Sequence, residues 1–210
     1  MKNVNYYKEF EKQLESVKRA EHKPTLLLHA CCAPCSSYCM ELLAGYFDIT
    51  VYFYNPNIDM KEEYEKRYGE LVRLVSEADF TKGVNVALGE YEPELFQEMA
   101  KGREDLPEKG ARCYDCYKLR MKKSAFYAAA NGFDYFSTTL SISPYKIAEW
   151  INEIGADLAE ELKNTFGETA PHFLYSDFKK KNGYKRSIEL SAIYGLYRQN
   201  YCGCKYSRPS

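Results

Sequence analysis

No hydrophobic run in the 210-residue chain approaches the roughly 20 residues that cross a bilayer; the longest near the N-terminus is Thr25–Ala33. The opening stretch Met1–Phe10 is polar and aromatic, unlike the apolar centre of a secretory signal. These absences exclude a membrane-spanning helix and lead us to expect a soluble, cytoplasmic protein. Internal repeats and low-complexity linkers are also missing, so one domain is expected. Residues 1–23 read as an N-terminal helical extension and 24–210 as a single α/β domain with a basic, tyrosine-rich C-terminal region.

The chain also lacks a strong overall charge, its formal net charge being −1. That balance conceals an asymmetry. From Tyr175 to Ser210, Lys179, Lys180, Lys181, Lys185, Arg186, Arg198, Lys205 and Arg208 face only Asp177 and Glu189. A basic end on an otherwise acidic chain points to a polyanionic partner or to a solvated tail. Of the 20 tyrosines, Tyr175, Tyr184, Tyr194, Tyr197, Tyr201 and Tyr206 lie among these cations. Stacking faces interleaved with cations suit single-stranded RNA, while ordinary packing is the alternative use of tyrosine.

Hydrophobic spacing predicts helices over 5–20, Ser36–Ala44, 60–78, 93–101 and about 114–130, another after Ser143-Pro144, and a last one near 183–198. Strands are expected at Thr25–Ala30, Ile49–Tyr54, Val84–Leu88, Asp134–Thr139 and His172–Tyr175. Alternating strands and helices imply a parallel sheet flanked by helices. Ligands in such sheets sit beyond the carboxyl ends of the strands. The first strand delivers Cys31 and Cys32 there, and the fourth delivers Thr138, Thr139 and the Ser141–Pro144 loop.

Seven of the eight cysteines fall in close groups: Cys31-Cys32-x-x-Cys35, Cys113-x-x-Cys116 and Cys202-x-Cys204. In a cytosolic chain such groups indicate metal binding or catalysis more than a disulfide framework. Zinc ribbons space their pairs by about 15–20 residues, whereas Cys35 and Cys113 stand 78 positions apart. A thioredoxin-like reading of Cys32-Ala33-Pro34-Cys35 at a helix start explains that motif alone. An iron–sulfur cluster, which takes four thiolates, accounts for more of the set. Its negative charge would be offset by Arg112, Lys118, Arg120, Lys122 and Lys123. The Cys202-Gly203-Cys204 pair suits either a short, easily reduced disulfide or metal chelation.

LHACCAPCS (Leu28–Ser36), RCYDCYKLR (Arg112–Arg120), STTLSISPYK (Ser137–Lys146) and the stretch Phe173–Ser207 with its YCGC together resemble the QueH type of epoxyqueuosine reductase. The resemblance implies reductive removal of the epoxide oxygen of epoxyqueuosine, at the wobble position of tRNA, to give queuosine. It further implies a [4Fe-4S] cluster on Cys31, Cys32, Cys113 and Cys116, an additional adjacent iron held by cysteine and aspartate, and a redox-active Cys202/Cys204 pair. Cys35 and Asp177 are candidates for the second iron, and Cys39 has no expected task. The implied fold is similar to that of adenine-nucleotide α-hydrolases and PP-loop enzymes, with the phosphate loop replaced by a cysteine metal-binding loop. That loop contains no glycine, and no ATP is expected.

The partners implied are tRNA and an unidentified electron donor. Asp177, Tyr175 or Tyr145 is expected to supply a proton, Asp177 having a helix N-cap as its alternative role. His29 is expected to be a satisfied core histidine or to orient the cluster loop. A thiol–disulfide oxidoreductase using Cys32 and Cys35, and a zinc-stabilised RNA-binding module, are the competing functions.

Overall fold

The computed structural model describes residues 4–208. The expected N-terminal extension is therefore seen from residue 4 onward, and the basic C-terminal region as far as Arg208. Five short strands form one parallel sheet: β1 (Thr25–Ala30), β2 (Asp48–Phe53), β3 (Asn85–Leu88), β4 (Tyr135–Thr138) and β5 (His172–Phe173). Their spatial order is β3-β2-β1-β4-β5. Seven helices accompany them: α1 (Tyr6–Val17), α2 (Ala33–Leu43), α3 (Lys61–Glu77), α4 (Pro93–Ala100), α5 (Ala111–Ala130), α6 (Ala148–Phe166) and α7 (Gly183–Ile193).

Strands covered on both faces read as unbroken apolar runs, and TLLLHA of β1 is such a run. Successive side chains leave a strand on opposite faces. Leu26, Leu28 and Ala30 accordingly join the core beneath α1, α2 and α3, while Leu27 joins the core beneath α5 and α6. β2 divides in the same way, with Ile49, Val51 and Phe53 on one side and Tyr52 on the other. α1 belongs to this architecture: Phe10, Leu14 and Val17 are buried in the first core, and Phe10 meets Phe178 edge-on at 5.6 Å. Its Gln13 donates to the Phe173 carbonyl at 2.8 Å and accepts from the Tyr175 N–H at 2.9 Å, supplying partners along edge strand β5.

α6 lies so close to the sheet that a Cβ on Gly155 would run into the Phe173 ring. Overfilling a packed contact costs about 1–3 kcal/mol. Gly155→Ala should lower the denaturant midpoint accordingly, with an unchanged slope; an unchanged midpoint would contradict the packing described.

The strand order reverses between β1 and β4, which pair with His29 opposite Thr138. A ligand crevice opens beyond the carboxyl ends of strands at such a reversal, and the residues after Ala30 and Thr138 line it. Three elements differ from expectation at this end of the sheet. α2 begins at Ala33, with Pro34 in its first turn, so Cys35 stands on the helix and not in a preceding loop; proline is well suited to that position. Ser143-Pro144 does not open a helix. The Lys146 N–H donates to the Ser143 carbonyl at 3.1 Å and the Tyr145 N–H to Ser143 Oγ at 3.2 Å, closing a turn around Pro144 before α6 starts at Ala148. The last helix stops at Ile193, because Gly195 adopts φ +54° and lets the Leu196 N–H reach back to the Ser191 carbonyl at 2.8 Å. The chain then leaves as an irregular strap, and that strap carries Cys202 and Cys204 to the crevice.

A candidate thiol-lined metal centre

A cavity of about 540 Å³ occupies the crevice. Cys31, Cys32, Cys35, Cys113, Cys116, Cys202 and Cys204 all line it. Three stretches, with cysteines up to 173 positions apart in sequence, thus converge on one space. Only Cys39 is elsewhere, buried in the core with its thiol directed at the Cys35 carbonyl at 3.3 Å.

Each cysteine group arrives by a different route. Cys31 and Cys32 follow β1 directly; Cys32 is the extended residue preceding α2, and its carbonyl accepts from both the N–H and the Oγ of Ser36. The Sγ atoms of Cys31, Cys32 and Cys35 lie within 4.8 Å of one another, those of Cys31 and Cys32 being 3.7 Å apart. The helix start places partial positive charge beside them, which favours thiolates. Hydrogen bonds from Cys32 and Cys35 hold the Cys31 thiol well below its usual range. The same shared charge pushes Cys32 up to about 12 and Cys35 well above its ordinary value.

Cys113 and Cys116 stand one turn apart at the start of α5. Cys116 is buried, and that burial pushes its thiol up to about 12. Arg112 fixes the preceding loop by donating to the carbonyls of Arg103 and Glu104 at 2.7 and 2.8 Å, and stacks on Tyr206. Of the five cations expected to offset the thiolates, Arg112 and Arg120 line the cavity. Lys118, Lys122 and Lys123 do not, since they lie on other faces of α5. Lys122 pairs with Glu161 at 2.7 Å and Lys123 with Glu92 at 3.0 Å.

Cys202-Gly203-Cys204 is held from α3 and its approach. The buried Arg67 donates to the Cys202 carbonyl at 3.1 Å and to Glu63 at 2.6 Å, and Tyr197 on the strap donates to the same Glu63. Arg208 closes the far end on Asp59 at 2.8 Å. Gly203 has φ +118°, and a Cβ there would press on Ile58 at 2.8 Å, so only glycine fits. Both cysteines are free thiols. Burial opposes a charge on Cys202, but the Lys146 ammonium 2.9 Å from its Sγ, with Arg120, lowers the thiol overall. Cys204 is pushed up by burial. Lys146 takes this place through the Pro144 turn, which aims it back into the cavity and which no motif in the sequence signals.

Other expected site residues are placed less centrally. Asp177 does not line the cavity; it pairs with Lys179 at 2.7 Å, and it is no cap, since α7 starts at Gly183 after Asn182. Tyr175 stacks on Tyr6, whereas Tyr145 is 67% exposed at the cavity wall. His29 is buried between Thr138 Oγ1 at 2.8 Å and the Tyr54 carbonyl at 2.9 Å, and burial lowers it to about 3. It is the satisfied core histidine. Of the six tyrosines among the C-terminal cations, Tyr184 and Tyr201 line the cavity; Tyr194 packs on Phe80 and Tyr197 under Lys66.

The donor set is soft sulfur, the choice of iron–sulfur, zinc and copper(I) centres. Five cations (Lys109, Arg112, Arg120, Lys146 and Arg198) line the cavity against the single acid Glu108, an excess that suits an anionic cluster. A five-stranded parallel sheet, with a cysteine loop after its first strand, defines an α/β protein whose crevice at the strand reversal is lined by thiols. The chain matches the family model described as epoxyqueuosine reductase QueH over residues 26–210. It is 41% identical to the epoxyqueuosine reductase QueH of Staphylococcus epidermidis, covering 99% of this chain and 87% of that protein. The Streptococcus pyogenes protein of the same name is 39% identical, with 97% and 78% covered, and that of Thermotoga maritima 35%, with 87% and 90% covered. The chain belongs to the epoxyqueuosine reductase QueH family. The fold is shared with the U34-tRNA thiolase NcsA of Methanococcus maripaludis, solved with its [4Fe-4S] cluster, at TM-score 0.53 and 13% identity over 97% of this chain and 69% of that one.

Proposed function

We propose that the chain removes the epoxide oxygen of epoxyqueuosine in tRNA, giving queuosine, at an iron–sulfur centre inside the thiol-lined cavity. The observation that carries this reading is the convergence of seven cysteines from three distant stretches on one crevice. Cys31, Cys32, Cys113 and Cys116 would hold a [4Fe-4S] cluster, and Cys35 would hold an adjacent iron. When bound, such a group supplies electrons one at a time and an open metal position for the epoxide oxygen.

The reaction consumes two electrons and two protons and releases water. Two thiols at Cys202 and Cys204 store that pair of electrons and yield it by forming a disulfide. The Lys146 ammonium beside Cys202 lowers its thiol and so favours the anionic form, which is the reactive one. Tyr145 Oη and Lys146 Nζ are the proton-bearing groups at the cavity wall. They replace Asp177 and Tyr175, which stand outside it. The strap over the crevice, anchored by Arg67, Glu63 and Asp59, limits water around the reacting carbons.

Anaerobically purified protein should be brown and contain iron and acid-labile sulfide. A colourless protein holding zinc alone would sink the cluster. The cysteine loop after β1 serves thiols and not phosphate, so turnover is expected without ATP. No helix among the described residues is long and apolar enough to cross a membrane.

The tRNA surface comprises the cations that the fold does not consume. Lys179, Arg186 and Arg208 are committed to Asp177, Glu41 and Asp59. Lys180, Lys181, Lys185, Arg198 and Lys205 make no ion pair among the described residues, and Arg198 and Lys109 sit at the cavity itself. Each phosphate contact releases about 0.7–0.9 counterion. Binding of tRNA should therefore weaken steeply as salt rises, and Lys109→Ala with Arg198→Ala should flatten the log–log slope by about two. An unchanged slope in the double variant would remove these residues from the interface.

A further inference from the structure

Arg120 follows Cys113 and Cys116 by seven and four positions on α5, placing all three on one helix face. Its side chain is fully buried and lines the cavity. One nitrogen, Nη2, donates to Asn55 Oδ1 at 2.6 Å. Asn55 is itself fixed, because its Nδ2 donates to the carbonyl of Ala30, the last residue of β1, at 2.9 Å. The guanidinium is therefore tied to the strand end that delivers Cys31.

Its other two nitrogens, Nε and Nη1, have no hydrogen-bond partner among the described residues. Buried donors on a charged group are seldom left unanswered, because they have given up water without a replacement. The Cys116 thiol is the one neighbour placed to approach the guanidinium, and a group bound in the cavity would supply the acceptors it leaves over. The neighbours on that side are sulfur: the side chains of Cys116, Cys31 and Cys202 act on Arg120. A planar guanidinium offers parallel N–H donors with a fixed charge. Hydrogen bonds to sulfur and a nearby cation are the means by which proteins raise a cluster's reduction potential, since both favour the more negative reduced state.

We propose that Arg120 is a positioning residue whose Nε and Nη1 donate to sulfur of the bound cluster and set its reduction potential. This rests on the iron–sulfur reading above. Asn55 holds the fork in register, and Arg120 contributes no ligand. The arrangement assigns different tasks to neighbours on one helix face: Cys113 and Cys116 retain the metal, and Arg120 decides how readily it accepts an electron.

The test uses the full chain, loaded anaerobically, with iron and sulfide content measured beside an EPR-monitored redox titration. Arg120→Gln should keep its iron yet lower the equilibrium constant for reduction at least tenfold, about 59 mV for one electron. Arg120→Lys should recover part of that loss by restoring charge without the fork. An iron-loaded Arg120→Gln protein with the wild-type potential overturns the proposal. If Arg120→Gln does not fold or does not load, Asn55→Ser decides, since it leaves the guanidinium in place and cuts its tether. A smaller fall in the same direction supports the role, and an unchanged potential overturns it. Wild-type protein that takes up no cluster overturns the iron–sulfur reading itself, and is thus distinguished from failure of Arg120 alone.

Discussion

Cys113→Ser is expected to empty the protein of its cluster and to abolish turnover in the same step. Cys113 opens α5 and lines the cavity, and serine there keeps the size while replacing a soft thiolate by a hard, protonated hydroxyl. Changes around a ligand typically cost 10–100-fold in metal affinity or activity. Loss of a ligand should exceed about 100-fold on both. The fold should survive, because Cys113 is only half-buried and is packed at the edge of the second core. Iron, sulfide and visible absorbance measured beside the melting curve separate loss of the centre from loss of the protein. Cys35→Ser provides the contrast. Cys35 belongs to the tight trio with Cys31 and Cys32, yet the cluster is assigned here to the pairs Cys31/Cys32 and Cys113/Cys116. Cys35→Ser should retain the cluster's absorbance and lose activity. Should Cys35→Ser lose the cluster while Cys113→Ser keeps it, the ligand set is the trio and the assignment falls.

Cys204→Ser should have the opposite signature to Cys113→Ser, with the cluster retained and multiple turnover lost. Cys204 is nearly buried, its thiol 3.4 Å from Ser207 Oγ, and its acidity is suppressed by burial. Cys202, beside Lys146, is the partner whose thiol is lowered. That asymmetry suits a dithiol in which one sulfur attacks and the other follows. Without Cys204 the pair cannot close, and two electrons can no longer be stored. Activity should fall to the level of the protein without reductant. Parallel loss of iron from Cys204→Ser would make the strap cysteines ligands and end the relay role. Lys146→Met should reproduce part of the defect by removing the cation that lowers the Cys202 thiol, with iron again retained.

Much of this site was legible in the sequence, for definite physical reasons. TLLLHA is short, unbroken and apolar, so β1 and its delivery of Cys31 followed from the run itself. The cysteine groups could be read as one centre because spacing and motif survive without coordinates. The location of Lys146 could not. Ser143-Pro144 fits a helix start and a turn equally well, and only the Ser143 hydrogen bonds decide between them. The end of α7 was misplaced by five residues because Tyr194–Arg198 continues a helical pattern, while Gly195 breaks it through its left-handed backbone. The tyrosines misled for a related reason. Tyr194, Tyr197 and Tyr206 satisfy a stacking pattern along the chain, but the strap turns them inward against Phe80, Lys66 and Arg112. Asp177, a candidate for the second iron, pairs with Lys179 and does not line the cavity.

The most direct measurement is anaerobic incubation of the iron-loaded protein with reductant and tRNA containing epoxyqueuosine, followed by nucleoside mass spectrometry of the digested tRNA. The account predicts conversion to a nucleoside lighter by one oxygen atom, without added ATP. Epoxyqueuosine recovered intact after incubation with protein of full iron content would contradict it.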